Sequence, residues 1–287
     1  MGRNDCLEVS IGALDITPPL GSRFAGHLNR DKPAEGILDP LYGRLLYLRD
    51  REEQVLLVNC DLLEFGLEEA LHLKNSLHQA THIPLQRILL TATHTHTGPA
   101  TLCFSGQPAD VPYLNTLERK LCQEAATLSD RARPCEVFVQ RTKIRVSCNR
   151  RKRVGDKIVM APNPEGPVDP DLTMVLFSPP KGKPIGGILH YSMHPTTLDV
   201  HTYLISADYP GRLLRKVKDL GCFLFLQGAC GDVKPAVFDQ EGNFKEGTME
   251  TVSYYCCTIV RFSHRSLGNL SLYASLDGFY LAFDSCH

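Results

Sequence analysis

Apolar and polar positions alternate along this chain in blocks that predict a strand-rich α/β protein. Leu7 to Ile16 alternates like a half-buried strand and closes on the turn T-P-P-L-G; Leu41 to Leu48 and Gln54 to Cys60 read as two more strands around the polar turn Arg49 to Glu53. Ala70, Leu73, Leu77 and Ala80 keep helical spacing, and Leu114, Leu117, Leu121, Ala125 and Leu128 keep it again. Between these helices lies Ile88-Leu89-Leu90, a short continuous apolar run of the kind a central strand accepts. Past Pro134 the pattern turns to strands: Glu136 to Val146, Leu172 to Ser178 and Ile185 to Met193, with Met160 to Pro170 reading as a Pro- and Gly-rich surface loop. A short helix is predicted between Asp208 and Asp219, with Asp208 as its N-cap, and Cys222 to Leu226 is a last buried strand. The fold class expected is α/β: a mixed β-sheet core with packed helices and an active site at strand ends.

Chemistry-bearing residues gather where the predicted strands stop. The run Arg87 to Pro99 ends in T-H-T-H-T-G-P; in extended backbone His94 and His96 would project from one face. His194 follows the apolar run Ile185 to Leu189, Asp61 follows Cys60, and Asp232 lies in G-A-C-G-D-V-K-P after the last strand. Zinc is held by nitrogen ligands from separate rigid elements, and a hydrolytic site keeps one position open for water. His94 and His194 can supply two such ligands; His96 can be a third or can hydrogen-bond a substrate oxygen. Asp61, Asp208 and Asp232 can coordinate, orient a histidine or take a proton, although Asp208 reads equally as a helix cap and Asp61 as a turn acceptor. His190, on an apolar strand, reads as a core residue. Cys230 in its glycine turn offers a different chemistry, that of a cysteine nucleophile with a histidine base.

Composition narrows the classes. With 31 basic and 32 acidic residues the chain carries no global field that would steer it to nucleic acid or membrane. The basic run Arg150-Arg151-Lys152-Arg153 can meet an acidic head group or phosphate, or be a solvated loop; without interleaved aromatics it is no nucleic-acid site. Eleven cysteines, none in C-x-x-C and several inside apolar runs, point to buried reduced thiols. The start M-G-R-N-D-C leads into no apolar signal region, and no window is long and apolar enough to span a bilayer. A soluble cytoplasmic protein is expected, of unknown oligomeric state.

Taken together, these motifs resemble the catalytic domain of the neutral, non-lysosomal ceramidases. T-H-T-H-T-G-P-A at 93 to 100 is similar to that family's T-H-T-H-S-G-P-G. The similarity continues, in order, through G-A-L-D-I-T-P-P-L-G, V-N-C-D-L-L, S-C-N-R, V-D-P-D-L-T-M-V-L-F, H-P-T-T, I-S-A-D-Y-P-G and G-D-V-K-P, over roughly the first 240 residues. The resemblance implies a zinc-dependent amidohydrolase acting on an N-acyl amide such as ceramide. It implies His94 and His194 as zinc ligands, His96 and Asp232 as catalytic residues and Arg150 near the substrate mouth. Lys234 stands where the family has serine and is taken with Arg150 as substrate-binding. The family completes its zinc shell with a glutamate and a tyrosine; no motif after Phe244 matches theirs, so no ligand is carried onto Glu250, Tyr254 or Tyr255. Residues 1–240 are expected to form the ceramidase-like catalytic domain, with 241–287 a diverged or truncated segment of it. Two other readings stand beside hydrolysis by zinc: a non-catalytic member that binds an acyl ligand or partner, and a cysteine hydrolase using Cys230.

Overall fold

A computed structural model describes residues 7–255, except 29, 52, 104, 105, 107, 199 and 249, together with the strand at 271–273. In chain order the strands and helices are β1 (Glu8–Asp15), β2 (Gly36–Ile37), β3 (Tyr42–Asp50), β4 (Glu53–Cys60), α1 (Leu67–Thr81), β5 (Ile88–Ala92), α2 (Val111–Ala125) and α3 (Leu128–Arg131). There follow β6 (Arg133–Pro134), β7 (Glu136–Lys143), β8 (Ser147–Val154), β9 (Lys157–Asn163), β10 (Asp171–Ser178) and β11 (Gly186–Tyr191). The last are β12 (Leu204–Ile205), α4 (Asp208–Lys216), β13 (Cys222–Gln227), β14 (Val233–Pro235) and β15 (Ser271–Tyr273).

Two five-stranded mixed sheets carry the fold, in the orders β5-β4-β3-β1-β6 and β13-β11-β10-β7-β15. In each, the outermost pair at one edge is parallel, β4 with β5 and β11 with β13, while the remaining pairs are antiparallel. The mixed α/β class read from the hydrophobic pattern is the one observed.

The strands are buried on both faces, and alternation sorts their side chains between two environments. Leu45, Tyr47, Leu56 and Val58 meet Leu73 and Leu77 of α1 and Leu117 and Leu121 of α2. Met174, Leu176, Phe223 and Phe225 meet Leu213 and Leu214 of α4 in the same way. The intervening residues, Val9 and Leu46 from one sheet and Val137, Val175, Phe177 and Leu224 from the other, share a third cluster. The molecule is therefore layered helix, sheet, sheet, helix. Val252 and Tyr255, past the predicted limit at 240, pack into the cluster beneath α4.

Asn59 joins the two sheets. Its position on β4 faces the inter-sheet layer, where the fully buried carboxamide donates to Phe225 O at 2.9 Å and accepts from Phe225 N at 3.2 Å. One side chain thus replaces a strand neighbour for β13 and satisfies groups that would be costly to bury bare.

Several expectations are corrected. The helix predicted through Leu128 ends at Ala125, because Thr127 N–H and its hydroxyl both bond Glu124 O and break the turn before α3. The stretch from Met160 is not wholly loop: β9 reaches Asn163 and pairs with the basic run on β8 as a hairpin, through the two-residue turn Gly155-Asp156, with Gly155 at φ +59°. Asp208 is no N-cap; Ala207 holds that position and Asp208 is the first helical residue, at φ +51°.

Candidate metal centre

His94, His96, His194 and Cys230 each follow a strand of a parallel edge pair. His94 and His96 come after β5, His194 after β11 and Cys230 after β13, so packing the two sheets face to face brings three strand ends together. The rings of His94, His96 and His194 stand mutually close: centroids are 5.1 Å apart for His94 and His96, 4.8 Å for His94 and His194, and 4.8 Å for His96 and His194.

The convergence of His94 and His96 has a different origin from the extended strand expected. β5 stops at Ala92 and His94 adopts φ +67°, a left-handed conformation that redirects the chain. The alternate threonines supply the anchor: Thr95 and Thr97, both buried, each donate a hydroxyl hydrogen bond of 2.8 Å to Ser206 O. The histidines between them are left facing the site. The segment Ser206 to Asp208 then reaches the other histidine loop as well, because the Asp208 carboxylate accepts from Thr197 N at 3.1 Å, from Leu198 N at 3.3 Å and from the Thr197 hydroxyl. The I-S-A-D motif is a tether between the two histidine loops.

Ring orientation follows from partners that can only accept. His94 Nδ1 lies 2.9 Å from Leu63 O, and His194 Nδ1 lies 3.0 Å from Cys230 O. A carbonyl has no proton to give, so each Nδ1 donates its hydrogen and each ring turns its Nε2 into the site. Cys230 contributes twice, its carbonyl orienting His194 and its thiol facing the histidines. Donor atoms of His94, His194 and Cys230 lie within 4.8 Å of one another. Two imidazole nitrogens with locked tautomers and one sulfur suit a divalent cation of borderline softness, so the residues present fit a metal.

His96 belongs to the same centre. Its Nε2 is 2.9 Å from His194 Nε2, near the roughly 3.3 Å that two nitrogens span around a tetrahedral ion. Burial, followed by the neighbouring His194, His27 and His94, pushes His96 down to about 2, and burial above all holds His194 near 4. Both rings are neutral at ordinary pH. Gly26, at φ +104°, lies so close that a Cβ there would sit 2.7 Å from His96 Nδ1.

The remaining predicted residues fall around this centre. Arg150 donates from Nε to Gly231 O at 3.0 Å, and both Arg150 and Lys234 act on His194 as nearby positive charges. Asp232 turns its carboxylate to Arg151 Nε at 3.1 Å on the exposed surface. Asp61 is buried and bound to Arg44 Nη1 at 3.0 Å, which makes it an internal ion pair. The Cys230 thiol is pushed up by burial, the reverse of an activated nucleophile.

His27 was missed. Its ring centroid is 4.9 Å from that of His96, and with Phe24, Arg30 and Asp31 it lines a cleft of about 540 Å³. The segment is held to the histidine loop by Arg30 Nη1, 2.6 Å from His96 O, and by Ala25 N, 3.2 Å from Gly98 O. A lone histidine after a glycine has no spacing to expose it in sequence.

Comparison with known proteins bears on the fold. No protein-family model matches the chain, and no curated protein matches it by sequence. Among solved structures, a ceramidase complexed with C2 superposes with a TM-score of 0.76 over 92% of this chain at 18% identity. The neutral ceramidase of Pseudomonas aeruginosa does so with a TM-score of 0.75 over 93% at 19% identity. The chain has the fold of a neutral ceramidase. It spans less than half of those proteins, 44% and 45% of their chains, so the ceramidase-like fold seen here is a part of theirs. Within the ceramidase-like fold, the His94, His194 and Cys230 group is the candidate metal site.

Proposed function

We propose that this chain is a zinc-dependent amidohydrolase of the neutral ceramidase type, cleaving an N-acyl amide such as ceramide into amine and fatty acid. The observation that carries the reading is the convergence of His94 and His194 Nε2, each locked from behind by a backbone carbonyl, beside the Cys230 thiol. A bound divalent ion would acidify a water and polarise the scissile carbonyl. His94, His194 and Cys230 would hold it, Cys230 as the thiolate. His96, in the tautomer that carries its hydrogen on Nε2, would donate to the carbonyl oxygen as negative charge develops there. Arg150 and Lys234 line the approach as substrate contacts. Asp232 enters the chemistry only when its pair with Arg151 opens.

The unbridged thiols of Cys60, Cys148 and Cys230, all in described segments, support a reducing compartment such as the cytoplasm. Among the described residues no helix is long and apolar enough to cross a membrane.

The experiment is metal analysis of the purified chain alongside hydrolysis of a panel of N-acyl amides. Stoichiometric zinc and turnover should both disappear in His94→Ala and in His194→Ala. Turnover retained in both variants ends the proposal. Zinc without turnover in the parent supports a non-catalytic ligand binder, and turnover that resists chelators but yields to thiol alkylation supports Cys230 as nucleophile.

A further inference from the structure

The β8–β9 hairpin has a composition that a solvated loop does not explain. Its four outer cross-strand pairs are Arg151 with Met160, Lys152 with Val159, Arg153 with Ile158, and Lys157 with Val154. Each joins one cation to one apolar side chain. Val154 and Ile158 are 57% exposed and Met160 61%, among the larger exposures of apolar residues in the described chain. Asp156 at the turn is the single acid in the stretch, leaving a net charge of +3 over 151–160.

The base of this hairpin is fixed to the metal centre. Asn149 donates to Pro167 O at 2.9 Å and accepts from Arg151 N at 2.8 Å, while Asn163 donates to Arg151 O at 2.9 Å. β8 also pairs with β14, and Arg150 N bonds Asp232 O at 2.7 Å, so the strand borders the turn that carries Cys230. Beyond that base the four pairs extend about 13 Å at the usual rise of a strand. This is long enough to reach the depth of roughly 5–10 Å to which an amphipathic element enters the headgroup boundary. Large apolar side chains beside cations on both faces of one short ribbon suit a surface where phosphates and acyl chains meet. The ribbon's unpaired outer edges keep it out of the hydrocarbon core.

We propose that residues 151–160 dock this protein on the surface of a bilayer containing anionic phospholipid. Val154, Ile158 and Met160 enter the headgroup boundary, and Lys152, Arg153 and Lys157 sit on phosphates. The neighbouring site then faces the lipid. The choice of a bilayer over another acidic partner rests partly on the reading that the substrate is a lipid amide; the docking itself is independent of turnover.

The test is co-sedimentation of the full chain with vesicles of phosphatidylcholine alone and with about one part in three phosphatidylserine. Binding is expected to the second and to weaken with added salt. Lys152→Gln with Arg153→Gln should lower partition about thirtyfold, roughly a factor of five for each cation. Ile158→Asp with Met160→Asp should abolish binding, and the Gln pair keeps the test open if the Asp pair unfolds the chain. No binding by the parent, or equal binding by the Gln pair, overturns the proposal. A loss of self-association in the variants without vesicle binding assigns the hairpin to a second copy of the chain and equally overturns it. Vesicle binding without hydrolysis removes the enzymatic reading alone, whereas hydrolysis of a soluble short-chain amide without vesicle binding removes the docking alone.

Discussion

The carboxamide of Asn59 grips both backbone groups of Phe225, and with them the strand that delivers Cys230 to the strand that precedes Asp61. The bond crosses the layer between the two sheets, close to the end where the histidines meet. Replacing Asn59 by Leu leaves the amide and carbonyl of Phe225 bare in a dry layer, at about 2–5 kcal/mol for two unsatisfied groups. The measurement is denaturant unfolding of the variant; a change below about 0.5 kcal/mol removes the joint from the account of the fold.

Cys230 is expected to hold the metal through its sulfur as well as to orient His194 through its carbonyl. Cys230→Ser keeps the carbonyl and exchanges thiolate for a much poorer ligand. Zinc affinity should fall by at least about tenfold, more than loss of an outer partner commonly costs, with the melting temperature of the metal-free chain unchanged. Affinity equal to that of the parent in competition with a chelator leaves only the histidines as ligands.

Gly26→Ala places a methyl group against the His96 ring and forces an L side chain into positive φ. His96 must move, while His94 and His194 keep their carbonyl partners. Hydrolysis should drop about 10²- to 10³-fold, the scale of one lost oxyanion donor, with zinc content near that of the parent. Loss of zinc in step with activity would instead assign His96 to the metal shell.

Asp208 ties the His194 loop to α4 from a fully buried position, and burial pushes its carboxyl from 3.8 up to about 6. A raised acid binds its proton more tightly in the folded chain. Its contribution therefore favours folding below the unfolded value near 3.8 and is lost as pH rises through about 6. Asp208→Asn cannot titrate, so the melting temperature of the parent relative to this variant should decline between about pH 4 and 6. A constant difference across that window shows that the four hydrogen bonds to the carboxylate, from Thr197 N, the Thr197 hydroxyl, Leu198 N and Tyr209 N, offset its burial.

The amino-acid sequence alone determined the elements and the residue types of the site. Apolar alternation marked β1, β3, β4, β10, β11 and β13 within a residue or two, because a strand buried on one or both faces leaves that trace locally. Polar residues at strand ends marked His94, His96 and His194, because chemistry collects where regular backbone stops. What local patterning cannot encode is which face of a doubly buried strand meets which layer, so the stacking of two sheets, and with it the Asn59 joint, was decided by tertiary packing. The same packing brought Cys230 and His27 to the histidines from parts of the chain with no spacing in common with them. It also turned I-S-A-D from a helix start into a tether, since Ser206 and Asp208 act on loops over a hundred and about ten residues away. Contacts between distant segments depend on the folded surface each presents, and that surface exists only once the core has formed.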